Sequence, residues 1–130
     1  MTVTINVDRG EVGLSLSGTV YPMLPTFAAV NAIEARLGSV LTLAARAAYG
    51  GERMLTFSEM GVVAAECVKA AGKDRSNAMY TGVSAEKFAE LIYENGFTDE
   101  LAKAIGEILA NMVTGGAKKK ETAAVQEQSA

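Results

Sequence analysis

Side chains able to do chemistry are few in this chain of 130 residues, which has no histidine and one cysteine, Cys67. A thiol becomes a nucleophile when a base or a positive neighbour holds it as thiolate. Cys67 instead lies between Ala64 and Val68 on an apolar helical stripe, which reads as a small core residue. With one thiol and no imidazole, only carboxylates remain as metal ligands, and none repeats at calcium-loop spacing. No catalytic residue, metal site or cofactor is predicted.

What remains is suited to binding. Glu86, Glu90 and Glu94 stand four residues apart, so they share one helix face. Paired carboxylates could exchange protons with a substrate, but a solvated acidic face that meets a basic partner needs fewer assumptions. Met79 and Tyr80 fall in the polar stretch 73–82, where no apolar stripe runs. They are predicted to be exposed partner contacts. Met60 and Met112 lie on apolar stripes and are predicted to be core. Lys118-Lys119-Lys120 is too short a basic run for a nucleic-acid patch and reads as a solvated tail.

Net charge is −3, and its distribution matters more than its size. Residues 1–116 hold nine Lys/Arg against thirteen Asp/Glu, and residues 86–107 hold six acids and two bases. Such a balance gives little means of holding a phosphate backbone, so no nucleic-acid partner is predicted. A lone cysteine forbids an internal disulfide and suits a reducing compartment. No apolar run approaches the roughly 20 residues that span a bilayer, so no membrane partner and a cytosolic location are predicted.

The elements that must position these groups are set by periodicity and punctuation. Val3, Ile5 and Val7 alternate with polar residues, as do Val12, Leu14 and Leu16, the period-two pattern of half-buried strands. Asp8-Arg9-Gly10 is predicted to turn between them, and Ser17-Gly18 to lead into a third short strand at Thr19-Val20-Tyr21. So small a ribbon must pack its apolar face on the helices. Pro22 and Pro25 are predicted to hold an extended connector, and Thr26 to cap a helix with Phe27, Val30, Ile33 and Leu37 inward.

Gly38 is predicted to end that helix and Ser39 to cap the next, with Leu41, Ala44, Ala45 and Ala48 inward and a stop at Gly50-Gly51. The capping box Thr56…Glu59 begins a helix that stops at Gly72. Another runs from Ser84 with Phe88, Leu91 and Ile92 inward and closes at Asn95-Gly96. The last runs from Thr98 with Leu101, Ile105, Ile108 and Met112 inward, closed by Gly115-Gly116. Residues 73–82 are predicted to be a loop, and 117–130 a disordered tail. The expected fold is α+β: residues 1–21 a β-hairpin, 26–116 four to five short helices, in one domain. Its alanine-rich, aromatic-poor composition predicts a thin core and self-association.

The order of these elements and the residues in them resemble a family of small phage tail proteins found in gene transfer agents of alphaproteobacteria and in related prophages. The resemblance covers roughly residues 10–116. It rests on Tyr21-x-x-Leu24-x-Thr26 leading into Ala32-Ile33-Glu34-x-Arg36-Leu37-Gly38, then Leu43-Ala44, Glu59, Gly72, Val83-Ser84, Gly96 and Gly115-Gly116. Residues 76–82 and the extension after Gly116 depart from the family pattern.

The resemblance implies one of two roles in the bacterial host. One is a tail assembly chaperone, acting in the host cytoplasm on the tape-measure protein and tail tube subunits. The other is a tail tube component that stays in the virion tail. It implies no catalytic residue. Known tail tubes build their wall from long strands, whereas strand pattern here ends near residue 21. The chaperone role is therefore the expectation.

Overall fold

The computed structural model describes residues 3–50 and 54–116. A 3-10 turn, Val7–Arg9, precedes two strands, β1 (Val12–Leu16) and β2 (Thr19–Met23). Among the described residues six helices come after them: α1 (Phe27–Leu37), α2 (Val40–Tyr49), α3 (Phe57–Arg75), α4 (Ala78–Thr81), α5 (Ala85–Asn95) and α6 (Asp99–Val113). The chain is α+β as expected, with one helix more than predicted, the single turn α4. The predicted disordered tail, residues 117–130, lies outside the described residues, as does Gly51 of the predicted Gly50-Gly51 stop.

The hairpin forms one step later than the alternation predicts. β1 and β2 pair antiparallel with Leu16 opposite Thr19 and Val12 opposite Met23. The two-residue turn is Ser17-Gly18, with φ of 50° and 87°. Positive φ at both positions matches the twist of the flanking strands. Residues 3–6 form no strand. Glu11 explains why: its carboxylate accepts the Asn6 N–H at 2.9 Å and takes a two-pronged bond from Arg75, both contacts at 2.7 Å. The N-terminal segment is thus held by a side chain instead of a ladder. β2 also runs through Pro22, opposite Gly13, because a two-stranded sheet leaves room for a residue without an N–H.

Helix starts agree closely with the sequence. Thr26, Ser39, Thr56, Ser84 and Thr98 each accept a backbone N–H with the side-chain oxygen, which satisfies donors that a first turn leaves orphaned. Thr56 and Glu59 close the predicted capping box. Glu34 reaches forward from α1 and accepts the Val40 N–H at 3.0 Å.

Two inward faces differ in part from their predicted positions. In α1 Ile33 is buried and Val30 and Leu37 pack on the core as predicted, but Phe27 is exposed and Ala29 is buried in its place. In α2 Leu41, Ala45 and Ala48 face solvent while Val40 and Leu43 are buried. Short helices with apolar residues on most sides carry a weak facing signal, so packing decides.

The largest difference is α3. It continues past Gly72 to Arg75 and ends at Ser76 in the left-handed region. Gly72 marks a close approach: a Cβ there would lie 2.7 Å from the Tyr80 Cβ and 2.8 Å from the Thr81 N. Gly61 plays the same part for α5, where a Cβ would lie 2.5 Å from the Ala85 carbonyl oxygen and 2.8 Å from the Ala89 N. The 19-residue α3 is accordingly the central mast, touching α1, α4, α5 and β2, while α6 packs on α2 and β1. Its buried face includes Met60, Val63, Ala64, Cys67 and Val68. The Cys67 carbonyl also accepts the Leu24 N–H at 3.0 Å, pinning the exit from β2 to the middle of the mast.

Candidate partner-binding surface

Five residues are predicted to meet partners, and the structure divides them into two groups. Met79 and Tyr80 belong to α4, packed at the Gly72 end of α3. Asn77 starts this turn by accepting the Met79 and Tyr80 N–H groups with its side-chain oxygen. Met79 is 81% exposed, as expected, but Tyr80 is not a free loop residue. It is half-buried and packs on the core, because α4 folds back over Gly72. Met79 and Tyr80 line one side of an open groove of about 600 Å³, with Val20 and Thr19 of the hairpin on the other.

Glu86, Glu90 and Glu94 are all at the surface along α5. Glu90 pairs with Lys87 at 3.5 Å, an exposed contact that contributes little to stability. Among the described residues Glu86 and Glu94 form no ion pair. Glu86 borders a shallow hollow of about 210 Å³ shared with Arg36 and Ser58. Positions 86 and 93 are two helical turns apart, so Tyr93 stands in the same stripe as the three carboxylates.

Tyr93 is where sequence reasoning fell short. It is 68% exposed and meets Phe57 of α3 edge-on, with ring centroids 5.7 Å apart. Phe97, just past the end of α5, is 44% exposed. It closes a small apolar cavity of about 20 Å³ among Met54, Leu55, Met60 and Ile105, room for about one water. Phe57, Tyr93 and Phe97 thus gather where α3 begins and α5 ends. The sequence signal was present but faint, an aromatic residue among glutamates and off the buried stripe of its helix.

The two groups lie at opposite ends of the mast. Tyr80 rests on Gly72 and Tyr93 on Phe57, fifteen helical residues apart, or about 22 Å.

The groups whose pKa values are shifted are structural. Burial raises the Cys67 thiol, with the charge of Glu66 adding to it, so the neutral form persists. The Arg46 guanidinium donates two 2.7–2.8 Å hydrogen bonds to Glu59, lowering that carboxyl's pKa below the ordinary range. Arg46 also donates to the Met54 carbonyl, so the pair clamps the approach to α3. The Arg75 pKa is raised, chiefly by its hydrogen bonds to Glu11. Among the described residues no cluster of three metal-ligating side chains forms, and no single helix is long and apolar enough to cross a membrane.

No protein-family model, curated protein or solved structure matches the chain.

Proposed function

We propose that this protein is a phage tail morphogenesis factor, a tail assembly chaperone that binds tape-measure protein and tail tube subunits during assembly. The observation that carries the reading is the division of the fold. Among the described residues, strand structure is one hairpin of five-residue strands, and the remainder is a helical body. A tube wall of the strand-built kind needs long strands that join between subunits. A chaperone needs exchangeable surface. Exposed apolar residues at both ends of α3, Met79 at one and Phe57 with Tyr93 at the other, supply adaptable and aromatic contacts of that kind. The ordered resemblance from Tyr21 to Gly116 supplies the biological context.

Two measurements test the reading together. Co-expression with a tape-measure protein from the same genome, followed by pull-down, is expected to recover a complex. Mass spectrometry of purified mature tails is expected to find the chain absent or at trace level. Stoichiometric presence at many copies would overturn the chaperone role in favour of a structural tail tube subunit.

A further inference from the structure

Asn95-Gly96 closes α5, and this pair carries chemistry as well as a helix stop. The backbone nitrogen after an asparagine can attack the side-chain carbonyl carbon, Cγ. A bond forms between that nitrogen and Cγ, and the side-chain nitrogen leaves as ammonia, with the proton that the backbone nitrogen gives up. Water then opens the five-membered imide at one carbonyl to give aspartate, or at the other to give isoaspartate. The reaction needs water and no other reagent. Glycine permits it best, because no Cβ crowds the attacking nitrogen and the backbone turns freely. The other asparagines, Asn6, Asn31, Asn77 and Asn111, are followed by Val7, Ala32, Ala78 and Met112.

The fold restrains the reacting groups from three sides. The Gly96 N–H donates to the Ile92 and Tyr93 carbonyls at 3.0 and 3.2 Å, so the attacking nitrogen is engaged by the helix end. The Asn95 Nδ2 donates to the Gly96 carbonyl at 2.9 Å. Its Oδ1 accepts the Ser17 N–H at 2.9 Å, a contact across 78 residues that ties the hairpin turn to the end of α5. Asn95 and Gly96 are only half-buried, so water has access once the amide swings free. The hairpin has a separate apolar attachment to α5, the edge-on contact of Tyr21 with Phe88 at 5.0 Å between ring centroids. The turn can therefore lift while the body of the hairpin stays seated.

We infer that Asn95 is a site of spontaneous deamidation and that the hairpin turn is its latch. While Ser17 holds Oδ1, the amide is kept from the rotation that attack requires. When the turn lifts and the helix end frays, the imide forms. Conversion is one-way in water and disables the latch. Isoaspartate adds a carbon to the backbone and leaves its carboxylate directly on Cα, which withdraws the acceptor from Ser17. Aspartate keeps an acceptor but loses the donor to the Gly96 carbonyl. It also places negative charge at the C-terminus of α5, where the helix dipole opposes it. The chain thus carries a timer that loosens the hairpin turn with age. Nothing in this chemistry depends on the tail-assembly reading.

The test ages the full chain in mildly alkaline buffer and follows conversion by peptide-mapping mass spectrometry, with isoaspartate detected by enzymatic methylation. Asn95 is expected to convert before any other asparagine, and at least tenfold more slowly than in a synthetic peptide of residues 91–98. Gly18→Val strains the turn alone: a Cβ there meets nothing within 4 Å, but a φ of 87° disfavours a branched side chain. It is expected to speed conversion at least threefold, with Gly18→Ala as the milder version. Thiol labelling of the buried Cys67, which reports opening of the whole fold, is expected to stay unchanged in both. Asn95→Gln, whose larger imide forms far more slowly, is expected to abolish conversion. In the purified converted chain the Ser17 amide should exchange hydrogen at least tenfold faster, while amides in the middle of α3 keep their rates.

Equal rates in the folded chain and the peptide would overturn the inference, because the fold would then provide no latch. Unaltered conversion in both Gly18 variants would do so too, as would acceleration only in step with Cys67 labelling. Earlier conversion at another asparagine would misplace the site. Unchanged Ser17 exchange after conversion would remove the timer.

Discussion

The two ends of α3 are built on opposite terms. At its C-terminal end the mast is tied by charge. Arg75 grips Glu11, whose side chain is only 2% exposed, and Arg9 meets Asp74 at 2.7 Å. Together they hold the chain before β1 against the last turn of the helix. At the N-terminal end an ion pair also exists, Arg46 with Glu59, but it sits beside a cluster of aromatic rings left in water. The C-terminal end joins distant segments through ion pairs, although Met79 of the neighbouring α4 stays exposed, while the N-terminal end leaves the rings of Phe57 and Tyr93 partly in water.

Breaking the seat of α5 should have the largest effect. Replacing Gly61 with alanine would by helix propensity favour α3 by about 1 kcal/mol. The first added carbon, however, meets backbone atoms of α5 that have no rotamer in which to yield. Gly61→Leu is expected to cost about 3 kcal/mol or more and to leave the chain unfolded or molten. The near-ultraviolet circular dichroism of the aromatic residues would read this out. A native spectrum would show that α3 and α5 can separate cheaply.

Arg75→Ala is the corresponding break at the ionic end. It leaves Glu11 buried with one remaining backbone donor, that of Asn6. The expected loss is about 3 kcal/mol, the low end for a broken buried pair because Arg75 keeps partial solvent contact. Cys67 gives a second measure, since its thiol is fully buried in the middle of α3. Reaction with a thiol reagent through opening of the fold should accelerate roughly a hundredfold in Arg75→Ala, the factor to which such a loss corresponds. Unchanged labelling would mean that the N-terminal tie is local and does not support the mast.

Acid should distinguish the ends more gently. Glu59 is held below the ordinary carboxylate range by Arg46, so its folded pKa lies below its unfolded value of about 4.3. The stabilisation is complete above that unfolded value and is lost as pH falls through the folded pKa. Thermal melts from pH 7 downward should show less acid sensitivity in Glu59→Gln than in the unaltered chain. Equal sensitivity in both would assign the acid response to other carboxylates.

Phe57→Ala should cost less than either break in α3, about 2 kcal/mol: the side chain is already 40% exposed, so only part of a phenylalanine's burial energy is lost, together with the edge-on pair with Tyr93. A melting point lower by less than about 10 °C is the expected result. A much larger loss would make the aromatic end part of the core and remove the contrast with the ionic end.

Local chemistry is what made the helices legible. Five caps, the capping box at Thr56 and the stop glycines at 38, 50 and 96 all involve residues within a turn of one another. The buried stripes of α5 and α6 were equally plain, since Phe88, Ile92, Leu101, Ile105, Ile108 and Met112 recur at helical spacing. Of the candidate surface, the exposure of Met79 and of the three glutamates on α5 was visible in advance. The aromatic cluster was not, because Phe57 and Phe97 are 40 residues apart and only the antiparallel packing of α3 on α5 brings their helix ends together.

Fold class, helix starts and the central buried stripe are written in local residue patterns, because caps and periodicity act over a few residues. The rest came from long-range packing. It gave Gly72 to a helix interior, turned Phe27 and Leu41 outward, replaced a first strand with the Glu11–Arg75 clamp across 64 residues, and set Tyr93 against Phe57. Each of these depends on what lies opposite in space, and a glycine, a glutamate or an aromatic ring carries no local mark of the neighbour it will meet.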